Sequence, residues 1–571
     1  MFVKLVQDIY IERKSTLSIL CTDVQKAFDT INRGILWKIL DKYGLNENEL
    51  NRIKLLYYKP YTQINVNGSS SIDVCCDAGV RQGCPSAMLL FVIYIDLLLK
   101  NIQTDQMINS IYIPGMTEHV KFIAHADDIS FFLVDQPSAN RTVSIIKKFS
   151  KLTGMVVNEN KCKMMNVYGD LRCDMMNVNK VNNANLLGIW YGLNSREKTV
   201  EVILQKVESA IEEWDDNWYY MPERVKIINK AVYSRIIYQL YTTSLRISDI
   251  KLIERKIFNF VWKKTYEPMS RRMMKNRWDN GGWGIWDLKG LEYAVQLSNI
   301  CNVLKTRNHP LMFVAEYILG PIVKTFTQIR GSRPFLVNSK GKYRNWRQYL
   351  RQIMDEDSQV LLDDRKVRPS ILYKYIHKQV INQNMLLSSY NWNDIWKNVG
   401  FLPAEWRETS WRIIQNVVMT KSFLNTHCYK IDVRCLMCRR EETTIHVFFE
   451  CPIAAQVWRW VERVCKTKIT WTNVKYQTDY KCRYSFKYMI NWIIGLTKRI
   501  LWKSRCELIF EQRKWNATFL VMKIKEEAIR KINIDCENMS EREFACKYGG
   551  PIGVIWKQEN DVILFRDDWS T

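Results

Sequence analysis

The stretch Phe122-Ile123-Ala124-His125-Ala126-Asp127-Asp128-Ile129-Ser130-Phe131-Phe132-Leu133 decides how this chain is read. Val120–Ala124 and Ile129–Val134 read as two short strands, apolar and rich in β-branched and aromatic residues, with two adjacent acids between them. Neighbouring carboxylates at a tight turn repel each other, and enclosing them without a partner is costly. A divalent cation makes the arrangement favourable. Hard oxygen ligands on a short hairpin suit magnesium, which takes a few carboxylates and completes its shell with substrate phosphates. Taken alone, an Asp-Asp pair is more often an exposed turn.

Asp23 changes that balance. It closes an earlier apolar run, Thr16–Val24, that also reads as a strand. If the strands are neighbours in one sheet, Asp23 and Asp127 converge on two metal ions, the arrangement used for in-line nucleotidyl transfer. A helix is expected after Asp23, from the spacing of Ala27, Phe28, Ile31, Ile35, Leu36, Ile39 and Leu40, with Gly44 as its stop. Thr62 to Val66, the turn Asn67-Gly68 and Ser71–Cys75 read as a hairpin. The loop Gly79-Val80-Arg81-Gln82-Gly83-Cys84-Pro85 leads into an apolar helix from Ser86 to Leu99. The order strand, helix, hairpin, helix, strand, strand is α+β.

These blocks carry a family resemblance. Asp23-Val24-Gln25-Lys26-Ala27-Phe28-Asp29, then Gly79 to Pro85, then Ala124-His125-Ala126-Asp127-Asp128 resemble three successive polymerase motifs of the reverse transcriptases of non-LTR retrotransposons, the long interspersed elements. Gly154-Met155-Val156-Val157-Asn158 with Lys161 resembles the fourth palm motif, and Leu186-Leu187-Gly188 the primer-grip segment. The resemblance implies a right-hand palm followed by a helical thumb and a mostly helical C-terminal region. It implies Asp23, Asp127 and Asp128 as catalytic metal ligands for two magnesium ions, with the Val24 carbonyl as a further metal contact. It places Phe28 beside the sugar 2′ position, Gln82 and Gly83 under the nascent base pair, and Lys161 as a general acid for departing pyrophosphate. RNA template, DNA primer or target DNA, and deoxynucleoside triphosphates are the implied partners. His125 stands where relatives carry Tyr or Phe, and Ser86-Ala87-Met88 replaces a commoner Leu-Ser-Pro pattern. Only 22 residues precede Asp23, where relatives have a fingers region and an endonuclease. The chain is therefore expected to lack the endonuclease and most of the fingers, either as a fragment or truncated reading frame or because those parts come from elsewhere.

Late in the chain, Cys435-x2-Cys438-x7-His446-x4-Cys451 has the spacing of a closed zinc site. The two cysteines two apart form one half on a turn, and a following helix supplies His446 and Cys451. One structural zinc is expected, and the surrounding Glu441 to Ile445, Phe448, Phe449, Pro452 and Trp458 resemble the zinc-binding region that follows the polymerase in these elements. Cys428 is left over. The resemblance then covers most of 10–515.

Bulk composition agrees with a polyanion partner. Of 571 residues 84 are Lys or Arg and 59 Asp or Glu, a net charge of +25. Residues 1–200 hold 23 basic and 19 acidic residues, a net of +4, so +21 lies beyond them. Lys342 to Arg347, Trp458-Arg459-Trp460, and Lys498-Arg499 with Trp502-Lys503 interleave cations and aromatics, a pattern that suits phosphates and stacked bases. Lys263-Lys264 and Arg271 to Arg277 form a weak bipartite import pattern. Sixteen Cys without a secretory layout point to reduced thiols or metal ligands. No clean run of 18 apolar residues exists, and the nearest, Ala87 to Leu99, is 13 residues with Asp96 inside it, which is short for a bilayer. No membrane partner is expected, and a nuclear or cytoplasmic, non-secreted location is.

The expected divisions are a palm with residual fingers over 1–198, a helical thumb over 199–290, a helical connector over 291–400, a zinc-binding region over 401–465 and a basic helical region over 466–571. The leading reading is an RNA-directed DNA polymerase of a non-LTR retrotransposon. The alternative is a degenerate, retrotransposon-derived nucleic-acid-binding protein without polymerase activity. A group II intron maturase shares the palm motifs and fits the zinc pattern less well.

Overall fold

The computed structural model describes residues 1–113, 116, 119–174, 176–215, 218–263, 266–305, 309–320, 322, 341–362, 366–382, 391–427, 430–478, 484–548, 556–559 and 562–565. Cys428 and Lys264 lie outside the described residues. The chain divides into two compact units: residues 1–206, 236–251 and 288–380 form the first, and 207–235, 252–287 and 381–571 the second.

The first unit is mixed α+β, built on a five-stranded sheet. In chain order its first elements are α1 (Phe2–Arg13), β1 (Leu17–Thr22), α2 (Arg33–Lys42), α3 (Glu47–Leu56), β2 (Tyr61–Thr62), β3 (Asn65–Val66), β4 (Ser69–Ser70) and β5 (Val74–Cys75). There follow α4 (Ala87–Thr104), β6 (Phe122–His125), β7 (Asp128–Leu133), α5 (Gln136–Thr153), β8 (Lys163–Tyr168), β9 (Asn179–Val181), β10 (Asn183–Leu186) and β11 (Ile189–Gly192). The sheet order is β6-β7-β1-β8-β9, with β1 antiparallel to both β7 and β8 and β9 parallel to β8.

Period-two alternation gives β1 two buried faces. Ile19 lies opposite Phe132 on one side and Met165 on the other, and this row joins the core made with Leu5, Val6 and Ile9 of α1. The next residue, Leu20, lies opposite Phe131 and Met164, and this row joins the core made with α4 and α5. A strand covered on both sides is held in register by two sets of apolar neighbours, because a one-residue slip would exchange them.

Three sequence expectations change here. The helix after Asp23 covers only Arg33–Lys42, and Ala27, Phe28 and Ile31 precede it in a turn. Lys26 takes a left-handed φ of 47°. The Phe28 and Ile31 carbonyls accept the N–H groups of Val80 and Gly79 at 2.8 and 3.0 Å, so they are used across the fold and not along a helix. Asn32 then caps α2, its side chain accepting from the Ile35 N–H. The hairpin over 62–75 is two nested two-residue ladders, β2 with β5 and β3 with β4, interrupted where a single ladder was expected.

The third change is the apolar helix, which runs on to Thr104, 18 residues with mean hydropathy 1.5. It is long enough and apolar enough to cross a bilayer, so the length limit drawn from the sequence does not hold. Leu90, Phe91, Tyr94, Leu98 and Ile102 are nonetheless buried in the core it shares with β1 and α5. The extension past Leu99 has a physical cause. The Lys121 ammonium, 6% exposed, donates to the carbonyls of Ile102, Gln103 and Asp105 at 3.2, 3.0 and 2.6 Å, satisfying the end of the helix.

The described part of the second unit is largely helical. Its Gly-rich stretch is a packing joint. Gly281, at φ 79°, lies so close to Trp392 that an added Cβ would meet the ring at 2.4 Å. The Gly281 carbonyl accepts the Trp411 indole N–H at 2.8 Å. Later come helices Pro452–Cys465, Tyr484–Phe510 and Ala517–Asn538.

Candidate functional site

The β6–β7 hairpin brings the acids to the end of the sheet. His125 pairs with Asp128, so Ala126 and Asp127 alone make the turn, and Ala126 takes a left-handed φ of 53°. On the neighbouring strand the last paired residues are Thr22 and Ile129, and the next residue on each strand is Asp23 and Asp128. The three carboxylates share one electrostatic environment. Desolvation of its carboxyl raises the Asp128 pKa above the usual carboxylate value, and the charges of Asp127 and Asp23 raise it further, while His125 offsets part of this.

The segment 154–161 closes over Asp23. Val24 bridges Val157, the Gln25 N–H donates to the Val156 carbonyl, and the Asn158 N–H donates to the Asp23 carbonyl, both at 2.8 Å. The carbonyl of Val24 is therefore not one of the acceptors of this ladder. Lys161, exposed, places its ammonium 3.6 Å from Asp23 Oδ2.

The Gly79–Pro85 loop is pinned to the first motif. Gly79, at φ 77°, leaves no room for a Cβ, which would sit 2.7 Å from the Asp29 backbone. Arg33 donates to the carbonyls of Gly79 and Ala78 at 2.8 and 3.0 Å, and Gln82 Nε2 donates to Asp29 Oδ1 at 3.3 Å. Gln82 and Gly83 are exposed, Gly83 with open space around it at φ 82°. Phe28 is half-buried, its ring stacked on Phe91 with centroids 4.9 Å apart. The expectation that Phe28 occupies a helical core position is replaced by this stacked turn position. Leu187 and Gly188 form the two-residue turn between β10 and β11, with φ of 51° and 78°. Both being positive is what a type I′ turn needs.

The donor set of Asp23, Asp127 and Asp128 is all hard oxygen, and their mutual repulsion is relieved by a divalent cation. Both features fit magnesium.

A second cluster lies in the second unit. Ligand atoms of Cys435, Cys438, His446 and Cys451 all lie within 4.8 Å of one another, with Cys438 Sγ and His446 Nε2 at 3.2 Å. A tetrahedral zinc with bonds of about 2.0–2.3 Å spaces its ligands by roughly 3.5–4 Å, so three sulfurs and a nitrogen so placed fit zinc. Cys435 and Cys438 sit on a knuckle. The Cys435 N–H donates to the Arg440 carbonyl, the Arg439 N–H to that of Cys435, and Arg439 turns at φ 65°. The Cys451 thiol donates to Cys435, which chiefly holds the Cys435 thiol down at about 4 and pushes that of Cys451 up.

The other half-site depends on a π-helical turn, His446–Glu450, closed by the Cys451 N–H donating to the His446 carbonyl at 2.8 Å. In an α-helix, five residues are about 1.4 turns, which would carry His446 and Cys451 to different faces. The wider turn brings i and i+5 into line. Cys451 is then the residue that caps helix Pro452–Cys465, not a residue of the helix itself.

Sequence reasoning missed what anchors this cluster. Glu442, 2% exposed, pairs with Arg505 of helix Tyr484–Phe510 at 2.7 Å and also accepts the Lys421 N–H. Phe448 stacks on Trp502 of that helix. An acid inside the Cys/His spacing was the available signal.

The basic–aromatic clusters are corrected by burial. Trp458, Trp460, Tyr343 and Trp346 are core residues, 2%, 5%, 7% and 1% exposed, and offer no free ring faces for bases. Lys498 is 1% exposed and donates to Gln477 Oε1 at 2.8 Å, with burial pulling its pKa down to about 7. It is no phosphate ligand. Apolar spacing on these helices, not base recognition, placed the tryptophans.

Comparison with known proteins accords with this geometry. Residues 4–191 match the family of reverse transcriptases (RNA-dependent DNA polymerases), and residues 371–458 match the family described as zinc-binding in reverse transcriptase. The chain thus contains a reverse transcriptase domain and, later, a segment of the kind that binds zinc in reverse transcriptases. Its relatives are retrotransposon proteins of the non-LTR kind. It is 26% identical over 326 residues to a retrovirus-related Pol polyprotein from type-1 retrotransposable element R2 of Popillia japonica, covering 52% of this chain and 44% of that one. It is 23% identical over 277 residues to the transposon TX1 uncharacterized 149 kDa protein of Xenopus laevis, covering 46% and 21%. It is 26% identical over 147 residues to the Pol polyprotein from type-2 retrotransposable element R2DM of Drosophila melanogaster, covering 26% and 13%. The chain spans less than half the length of each of these relatives.

Proposed function

We propose that this chain is the RNA-directed DNA polymerase of a non-LTR retrotransposon, extending a DNA primer on element RNA by two-metal nucleotidyl transfer. The observation that carries the reading is the placement of three carboxylates at one sheet end, Asp23 following β1 and Asp127 and Asp128 on the hairpin, with the Lys161 ammonium 3.6 Å from Asp23. Two magnesium ions held by Asp23, Asp127, Asp128 and the Val24 carbonyl would activate the primer 3′ oxygen and neutralise the leaving pyrophosphate. Lys161 holds a proton beside Asp23 and delivers it to departing pyrophosphate. Phe28, fixed by its stack on Phe91, limits the space at the sugar 2′ position and so selects deoxynucleotides. Gln82 and Gly83, exposed on a loop anchored through Asp29 and Arg33, support the new base pair.

In this reading residues 1–198 act as palm, 199–290 as thumb, 291–400 as connector, 401–465 as the zinc-binding region around one structural ion, and 466–571 as a basic helical region. The partners are an RNA template, a DNA primer or target DNA, and deoxynucleoside triphosphates. The test is primer extension by the full chain on an RNA template with deoxynucleotides and magnesium, repeated with Phe28→Val and ribonucleotides. Extension that accepts ribonucleotides only in the variant supports the assigned roles. RNA binding with no extension by wild type supports the degenerate binding protein instead.

A further inference from the structure

The second unit contains an open cleft of about 1050 Å³ between helix Pro452–Cys465 and the start of helix Ala517–Asn538. One wall carries Arg459, Arg463, Lys466 and Lys468, all exposed. The opposite wall begins with Ala517 and Thr518. Both walls are electropositive. The first holds four full charges. Among the described residues none of the four forms an ion pair, and Arg459 bonds only weakly to the Ala455 carbonyl at 3.4 Å. Glu462, the acid in the lining, has Oε1 occupied by the Ile469 N–H at 2.7 Å.

The second wall is the N-terminus of a 22-residue helix. The Asn516 side chain accepts from the Phe519 N–H, leaving the first-turn N–H groups of Ala517 and Thr518 without a partner within the helix. The positive end of the helix dipole therefore faces four cations across the cleft. A lysine or arginine near the end of its own helix is favourable, which accounts for Arg463 and Lys466 alone. It does not account for Arg459 a turn earlier, for Lys468 beyond the helix, or for the second positive wall. Like charges facing each other in this way are stabilised by an anion between them.

We propose that this cleft binds the phosphodiester backbone of a nucleic acid strand. Its size admits several phosphates, where a single inorganic anion would fill a small part of it. It reads charge and not bases, because Trp460, the aromatic residue in its lining, is 5% exposed and has no face to offer. Apart from Gln456, the lining residues, within 459–468 and 517–521, fall outside both family segments matched by this chain, 4–191 and 371–458. The site is independent of the carboxylates of the first unit.

The experiment uses the full chain and a fluorescent thirty-nucleotide oligothymidylate, with affinity measured over a series of salt concentrations. Each phosphate contact on a single strand contributes about 0.7 to the slope of log affinity against log salt. The fourfold variant Arg459→Gln, Arg463→Gln, Lys466→Gln, Lys468→Gln should therefore lower the slope by about 2–3 and weaken binding at least tenfold at low salt. Lys148→Gln, which removes an exposed charge on α5 of the first unit, should leave slope and affinity unchanged, which separates this cleft from a general loss of positive charge. Acylation of wild-type lysines followed by mass spectrometry provides the second measurement and needs no variant. Lys466 and Lys468 should become protected on adding the oligonucleotide and stay reactive with inorganic phosphate at equal phosphate concentration. An unchanged slope in the folded variant, or both lysines reactive at saturating oligonucleotide, overturns the proposal. Equal protection by inorganic phosphate would reduce the cleft to a simple anion site and also overturn it.

Discussion

The Lys161 ammonium stands 3.6 Å from Asp23 Oδ2, joining a segment that follows α5 to the end of β1. Both side chains keep substantial exposure, 68% and 39%, so the pair contributes little to stability. Its meaning is positional, since it sets a proton donor at the edge of the carboxylate cluster. Lys161→Met should leave the melting temperature nearly unchanged and slow primer extension roughly a hundredfold or more, the range for loss of a general acid. Thermal melts and single-turnover extension on the same preparations check both halves.

The Asp128 carboxyl is raised by desolvation and by the charges of Asp127 and Asp23. A raised carboxyl pKa means that the folded state binds its proton more readily than the unfolded chain. In metal-free buffer this group therefore opposes folding increasingly as pH rises through its titration, and the opposition fades on acidification. Magnesium should raise the melting temperature at pH 7.5 and lose this effect below about pH 4. Asp128→Asn should melt at or above wild type without magnesium and gain less from adding it. Differential scanning fluorimetry across pH, with and without the ion, measures this.

The knuckle and the π-helical turn predict one zinc per chain. Cys438→Ser removes a sulfur 3.2 Å from His446 Nε2 and should abolish zinc retention. Arg505→Met should also destabilise the second unit, by about 3–5 kcal/mol, because it leaves the buried Glu442 carboxylate without its cation. Elemental analysis and chelator titration of the purified chain follow both.

Lys498 is buried against Gln477 and titrates near 7. A base whose pKa falls on folding costs stability wherever the unfolded chain holds the proton. The penalty is complete below about pH 7 and fades as pH rises towards the ordinary lysine value near 10.4. Lys498→Met should therefore raise the melting temperature clearly at pH 6.5 and scarcely at pH 10. A pH series of melts on wild type and variant tests the sign.

The sequence was legible where chemistry and periodicity coincide. Asp127 and Asp128 between two apolar runs marked a hairpin, and the structure has one with a two-residue turn. Cys435, Cys438, His446 and Cys451 were readable as a set because ligand spacing is local. Phe28 was misplaced because Ala27, Phe28 and Ile31 mimic helical spacing, while the backbone partners of Phe28 and Ile31, Val80 and Gly79, lie about fifty residues away. Trp458, Trp346 and Lys498 misled for a related reason: a cation beside an aromatic looks alike whether the ring is core or surface, and burial is decided by distant helices. The positive cleft was invisible because its walls are separate in the sequence, at 456–468 and 517–521.

The central claim is most directly tested at Asp127. Removing a metal ligand leaves transition-state charge uncompensated, and several kcal/mol is a rate loss of roughly a thousandfold or more. With a DNA primer annealed to an RNA template, magnesium and deoxynucleotides, wild type should extend the primer. Asp127→Asn should not, while binding the same RNA with nearly unchanged affinity. Extension that survives Asp127→Asn would contradict the account.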